Sequence, residues 1–151
     1  MGLGEGVKNI LGFLTILPVQ TKEDSLEKVA QYTALFPLVG LLIGLIVGGV
    51  AWALLMFLPG AIVGFLTLGV ILLITGLHHT DGLLDFGDAL MFQGPSKAKR
   101  QVMHDTSTGA GGFGLGFIIL SLTALSIGYL KPNNIIQVLI VSEMAAKSTM
   151  V

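Results

Sequence analysis

Between Val29 and Thr80 the chain runs for 52 residues without a formally charged side chain, histidine being counted as neutral. A helix needs about 20 consecutive apolar residues to cross the hydrocarbon core of a bilayer, so this run holds two spans and a turn. Pro59-Gly60 supplies the turn. The spans are expected at about 35–58 and 61–79, joined so closely that they pack antiparallel as a helical hairpin. A second uncharged run, Thr106 to Leu130, predicts a third span over about 112–130, ended by Lys131-Pro132-Asn133-Asn134. The segment 135–151 is apolar apart from Glu143 and Lys147 and reads as a fourth span. It meets no Gly or Pro stop, and the expectation is a chain truncated at its C-terminus.

Composition narrows the reading further. Of 151 residues, 53% are hydrophobic and 11% charged, where a soluble domain carries about 25% charged residues. Disorder is excluded because the chain is apolar rather than charged. Eight Lys and Arg against nine Asp and Glu give a net charge of -1, which leaves no electrostatic footprint for nucleic acid. Without cysteine, disulfides, thiolate metal sites and cysteine nucleophiles drop out. The fold class that remains is all-α, a polytopic membrane helical bundle forming a single transmembrane domain over 1–151.

The apolar run Ile10 to Val19 is too short to span, so it is expected to lie in the interface or re-enter, ended by Pro18. Gln20-Thr21-Lys22 after it offers no small-residue cleavage site, and the N-terminus reads as mature. Lys8, Lys22 and Lys28 precede the first span and Lys97, Lys99 and Arg100 follow the second, against Lys131 alone on the other side. Such asymmetry puts the N-terminus and the loop from Phe92 to Gly111 in the cytoplasm of a cell-membrane protein. It also accounts for the three loop cations without a substrate. Gly40, Gly44 and Gly48 recur on one face of the first span, the pattern of close helix packing.

The chemistry concentrates in His78-His79-Thr80-Asp81-Gly82-Leu83-Leu84-Asp85-Phe86-Gly87-Asp88. If the second helix continues through it, Asp81, Asp85 and Asp88 fall at i, i+4 and i+7 and form one carboxylate stripe. Like charges one turn apart destabilise a helix, so a solvated acidic helix end explains the stripe less well than a cation among the acids. All-oxygen ligands suit a hard ion such as Mg²⁺, Mn²⁺ or Ca²⁺. Gly82 and Gly87, without side chains, are expected to leave room beside the stripe for a bulky substrate. After the basic loop, Met103-His104-Asp105 leads into a glycine-rich entry to the third span, where Asp105 adds a fourth carboxylate. Backbone N–H groups around Gly109 can meet a phosphate there, although a flexible helix entry would look the same. His79 is equally readable as a ligand-orienting group or a hydrogen-bonded boundary histidine. Glu143 and Lys147, spaced i, i+4, either neutralise each other or belong to a site.

At these residues the chain resembles the cobalamin synthase family, also called adenosylcobinamide-GDP ribazoletransferases. Four blocks carry the resemblance: Phe13-Leu14-Thr15-Ile16-Leu17-Pro18-Val19, Phe36-Pro37-Leu38-Val39-Gly40, the stripe from His79 to Asp88, and Met103 through Asp105 to Gly109. Ser142 to Lys147 is similar to the start of a later family helix. The resemblance implies a membrane enzyme, a Mg²⁺-dependent phosphotransferase. It would transfer the adenosylcobinamide phosphate moiety of adenosylcobinamide-GDP to α-ribazole or its 5′-phosphate and release GMP, late in cobalamin biosynthesis. It implies metal binding by Asp81, Asp85, Asp88 and Asp105, catalysis by Asp81 and Asp85, and substrate contacts at His79, Gly82 and Gly109. His104 and Ser107 stand where the family commonly has basic residues.

Displacing GMP from a diphosphate builds negative charge that carboxylate-held metal can stabilise. No serine has a general base at recognisable spacing, so the expectation is direct attack by a ribose hydroxyl of the acceptor. A CDP-alcohol phosphatidyltransferase shares the Asp-Gly pair and the metal logic, but the Ala-Arg that follows in that motif is missing here. An ion or proton transporter would place its acids near mid-span rather than beside a basic loop.

Overall fold

The computed structural model describes residues 3–16, 29–105 and 107–150. Leu17–Val19 of the first resemblance block, with Pro18, Lys22, Lys28, Thr106 and Val151, lie outside the described residues. Helix α1 covers Leu3–Leu14, and α2, Phe36–Leu54, follows a 3-10 turn at Thr33–Leu35. Then come α3, Gly60–Thr75, α4, His78–Met91, and the short α5, Ser96–Val102. The last two are α6, Ala110–Gly128, and α7, Ile135–Ser148. Among the described residues there is no strand, in line with an all-α fold.

Pro37 sits in the first turn of α2, where its fixed φ is suited and its missing N–H costs nothing. The buried face of α2 runs through Val39, Gly40, Ile43, Gly44, Val47, Gly48 and Ala51. Its partner is α7. A Cβ added to Gly40 would lie 2.5 Å from the Glu143 carbonyl oxygen, and one on Gly44 2.5 Å from Ile140 Cα. The expected glycine stripe is therefore a packing groove, which lets two backbones approach as closely as van der Waals contact allows. The same device joins α3 to α6 at Gly60 against Gly128 and Gly64 against Ala124. The opposite side of α2 leaves Leu38, Leu41, Leu42, Leu45 and Ile46 exposed, an apolar surface that lipid covers and water would not.

The expected spans differ from these helices in two ways. Thr33–Leu54, with mean hydropathy 2.4, and Ala110–Gly128, with 1.9, are each long and apolar enough to cross a membrane. The helices α3 and α4 meet the same criterion only together, as a broken span or a re-entrant loop, and α7 covers 14 residues, about 21 Å at 1.5 Å per residue. The second difference is the break at the end of α3, which stops at Thr75 instead of running to residue 79. Gly76 takes a left-handed conformation at φ 68° and Leu77 follows at φ 63°. The Leu77 N–H closes the helix end by donating to the Leu72 carbonyl at 3.2 Å. From there α4 departs at 101° to α3.

The α1 helix begins well before the apolar run that drew attention in the sequence. Ile10 and Leu14 are buried, Phe13 meets Phe36 with ring centroids 6.2 Å apart, and the Ile16 N–H donates to the Ile74 carbonyl at 2.9 Å. That last bond ties the end of α1 to the last turn of α3, next to the break.

Candidate active site

The acids lie on α4, and the bend places this helix across the end of α3 rather than in line with it. It is held there by α6. A Cβ on Gly87 would lie 2.9 Å from the Gly111 carbonyl oxygen, and one on Gly112 2.5 Å from the Leu84 carbonyl oxygen. With the helices this close, Asp88 reaches the start of α6. Its Oδ2 accepts the Gly109 N–H at 2.7 Å and its Oδ1 accepts the Gly112 N–H at 2.8 Å. Gly109 is the residue before the first helical position, so Asp88 satisfies two of the N–H groups that a helix start leaves unpaired. Its charge also complements the positive end of the helix dipole. A Cβ at Gly109 or at Gly112 would lie 2.6 Å from a carboxylate oxygen of Asp88. Glycine is therefore required at Gly112, where the Leu84 backbone also crowds the position, whereas a Cβ at Gly109 would displace only the Asp88 carboxylate.

Asp85 and Asp81 stand one turn and two turns before this anchor, Asp81 exposed and Asp85 half-buried. Neither carboxylate makes a hydrogen bond or ion pair with any described residue. Asp105 lies on the far side of α5. Its Oδ1 accepts from the Ser107 backbone N–H at 3.2 Å and from the Ser107 hydroxyl at 2.7 Å. It joins Asp88, Met91, Phe92 and Gly109 in lining a cavity of about 380 Å³. Lys97, Lys99 and Arg100 ride on α5 and have no ion-pair partner among the described residues.

The structure thus brings Asp88, Asp105 and Gly109 together, with Asp81 and Asp85 along the same helix as Asp88. Gly109 does not offer its N–H to a phosphate, as the glycine-rich entry suggested, because that donor is spent on Asp88. Gly82 has open space where a Cβ would be, next to Asp81. His79 is set apart. Two residues from Asp81 on a turn of 3.6, it lies on the opposite side of α4, with its Nε2 3.3 Å from Met150 Sδ. Gly112, the second donor to Asp88, drew no notice in the sequence, where it is one of several glycines in a row. Its signal is the spacing Gly109-x-x-Gly112 at a helix start that lacks a capping side chain of its own.

The donor set is all oxygen, as a hard divalent cation requires. Among the described residues no three His, Asp or Glu side chains converge to hold one ion. A cation held by Asp81 and Asp85 would need its other ligands from outside the described side chains, as Mg²⁺ commonly takes water and phosphate oxygens. The residues fit a shared protein and substrate site.

Comparison with known proteins agrees with the sequence blocks. The family model for cobalamin-5-phosphate synthase matches residues 6–151. A protein of Saccharolobus islandicus (strain L.S.2.15 / Lassen #1), named adenosylcobinamide-GDP ribazoletransferase, is 37% identical over 124 residues, 82% of this chain and 48% of the relative. Proteins of the same name from Saccharolobus solfataricus and Methanosarcina mazei are 39% and 34% identical, over 76% and 75% of this chain and 45% and 40% of their own lengths. The chain spans less than half the length of these relatives. No solved structure matches it.

Proposed function

The chain belongs to the cobalamin-5-phosphate synthase family, and from that membership we propose that it serves transfer of the adenosylcobinamide phosphate moiety of adenosylcobinamide-GDP to α-ribazole or its 5′-phosphate. The observation that carries the reading is the pair Asp81 and Asp85, two carboxylates one turn apart that no described protein group neutralises. Their helix is fixed at its next turn by Asp88 on the start of α6.

In this reading a ribose hydroxyl of the acceptor attacks the phosphorus that bears adenosylcobinamide. A new P–O bond forms, the P–O bond to the GMP phosphate breaks, and GMP leaves. A Mg²⁺ ion, when bound, neutralises the charge that builds on the phosphate oxygens. Asp81 and Asp85 would hold that ion, while the acceptor's proton passes to an acid oxygen of the site. Asp88 keeps α4 and α6 in register, and the cations of α5, Lys97 and Arg100 exposed among them, draw the anionic donor toward the acids. The acids lie next to the basic loop, so catalysis takes place on the cytoplasmic side of a cell membrane.

The test is GMP release from adenosylcobinamide-GDP by the full-length protein in detergent, with Mg²⁺ and either form of the acceptor. Release that requires an acceptor is the expected result. Folded protein that releases no GMP with either acceptor would overturn the reading.

A further inference from the structure

On the side of α4 away from the acids, a cavity of about 320 Å³ lies between α3, α4 and α7. Ile71, Leu72 and Leu83 give it apolar walls, and His79, Glu143 and Lys147 bring polar groups to it. Lys147 is 4% exposed and Glu143 9%. They share a single hydrogen bond, Nζ donating to Oε2 at 3.0 Å. An ammonium has three donors and a carboxylate about four acceptor sites, and neither group has another hydrogen-bond partner among the described residues. Among the described residues the one enclosed side-chain polar atom without a partner is Thr67 Oγ1, so the second oxygen of Glu143 opens onto space. That space is the cavity and the adjoining apolar one of about 420 Å³, which Glu143 also lines.

The pair is neutral as a unit, so a bare anion is repelled by Glu143 about as strongly as it is drawn to Lys147. A flat, neutral heterocycle that presents N–H donors beside a carbonyl oxygen suits both the charges and the apolar walls. The proposed reaction contains such a group. Guanine carries its N1–H and its amino group next to O6, whereas the ribazole base, once joined to its sugar, has no N–H to offer Glu143. We propose that this cavity binds the guanine base of the nucleotide donor, with Glu143 accepting from N1–H and the amino group and Lys147 donating to O6. The proposal rests on the transferase reading above. The nucleotide then crosses α4 at its His78 end, its base on the Glu143 side and its diphosphate on the side of Asp81 and Asp85.

The test is displacement of a fluorescent GDP analogue from the full-length protein in detergent with Mg²⁺, by GDP, IDP and ADP. IDP lacks the amino group, and ADP lacks both O6 and N1–H. Wild type is expected to bind GDP about tenfold more tightly than IDP or ADP, the worth of one to two hydrogen bonds. Glu143→Gln is expected to bring GDP to the level of ADP. Leu83→Trp, which narrows the cavity and leaves the ion pair alone, is expected to weaken GDP about tenfold and serves if Glu143→Gln fails to fold. Equal binding of the three nucleotides by wild type, or a GDP preference that survives in both variants, would overturn the proposal. A GDP preference that depends on Glu143, in protein that releases no GMP, would uphold the base site and sink the transferase. Acceptor-dependent GMP release without a GDP preference would do the reverse.

Discussion

Replacing Asp88 with Asn puts an amide NH₂ against one of the two backbone N–H groups that the carboxylate now accepts from Gly109 and Gly112. One helix-start donor loses its partner, and the charge that complements the helix dipole is gone. Asp88→Asn is expected to destabilise the fold by about 1–3 kcal/mol, the cost of leaving such a group unsatisfied. The carboxylates of Asp81 and Asp85 make no hydrogen bond or ion pair with any described residue. Asp81→Asn and Asp85→Asn should therefore change stability by no more than about 0.5 kcal/mol, as surface substitutions do. Melting curves in detergent for the three variants check this. A loss at Asp81 equal to that at Asp88 would mean that the stripe is structural throughout. The i, i+4, i+7 spacing made all three acids legible from the sequence, but not this division among them. Asp88 caps a helix that begins 21 residues later, and nothing local to either segment encodes the meeting.

At the scale of elements, the break between α3 and α4 decides where the acids stand. Gly76→Ala must hold a Cβ at φ 68° with Ile16 Cγ2 2.6 Å away, and the left-handed conformation alone costs about 1–2 kcal/mol. Leu77 already bears such a cost at φ 63°, so Leu77→Gly is expected to raise stability by up to about 1 kcal/mol. Denaturant titration of the two variants should move in opposite directions. Movement in the same direction would contradict the described backbone. The glycine groove of α2 and the Pro59-Gly60 start of α3 were readable because spacing and turn chemistry mark them directly. The break was not. Apolar residues run without interruption into Gly76-Leu77, and a cap glycine gives a weak signal in a chain with 21 glycines. The 14 residues of α7 look like a span by composition, and their packing on the α2 glycine groove was not marked in their own sequence.

For the whole molecule, the bundle presents apolar helix faces outward, and α5 carries three of the chain's eight basic residues. The account places α5 on the cytoplasmic side. Because the chain has no cysteine, Lys97→Cys creates a single thiol on an exposed position of α5. A membrane-impermeant maleimide should label it in permeabilised host cells and not in intact ones, and labelling of intact cells would reverse the orientation. Membership in the cobalamin-5-phosphate synthase family and the free acids of α4 meet in one claim, that Asp81 and Asp85 hold a divalent cation for phosphoryl transfer. The most direct test is Mn²⁺ binding followed by electron paramagnetic resonance, on full-length wild type and on Asp81→Asn shown by melting to be folded. The account predicts Mn²⁺ bound by wild type, displaced by Mg²⁺, and weakened at least about tenfold in Asp81→Asn. Equal Mn²⁺ binding by the two folded proteins would contradict it.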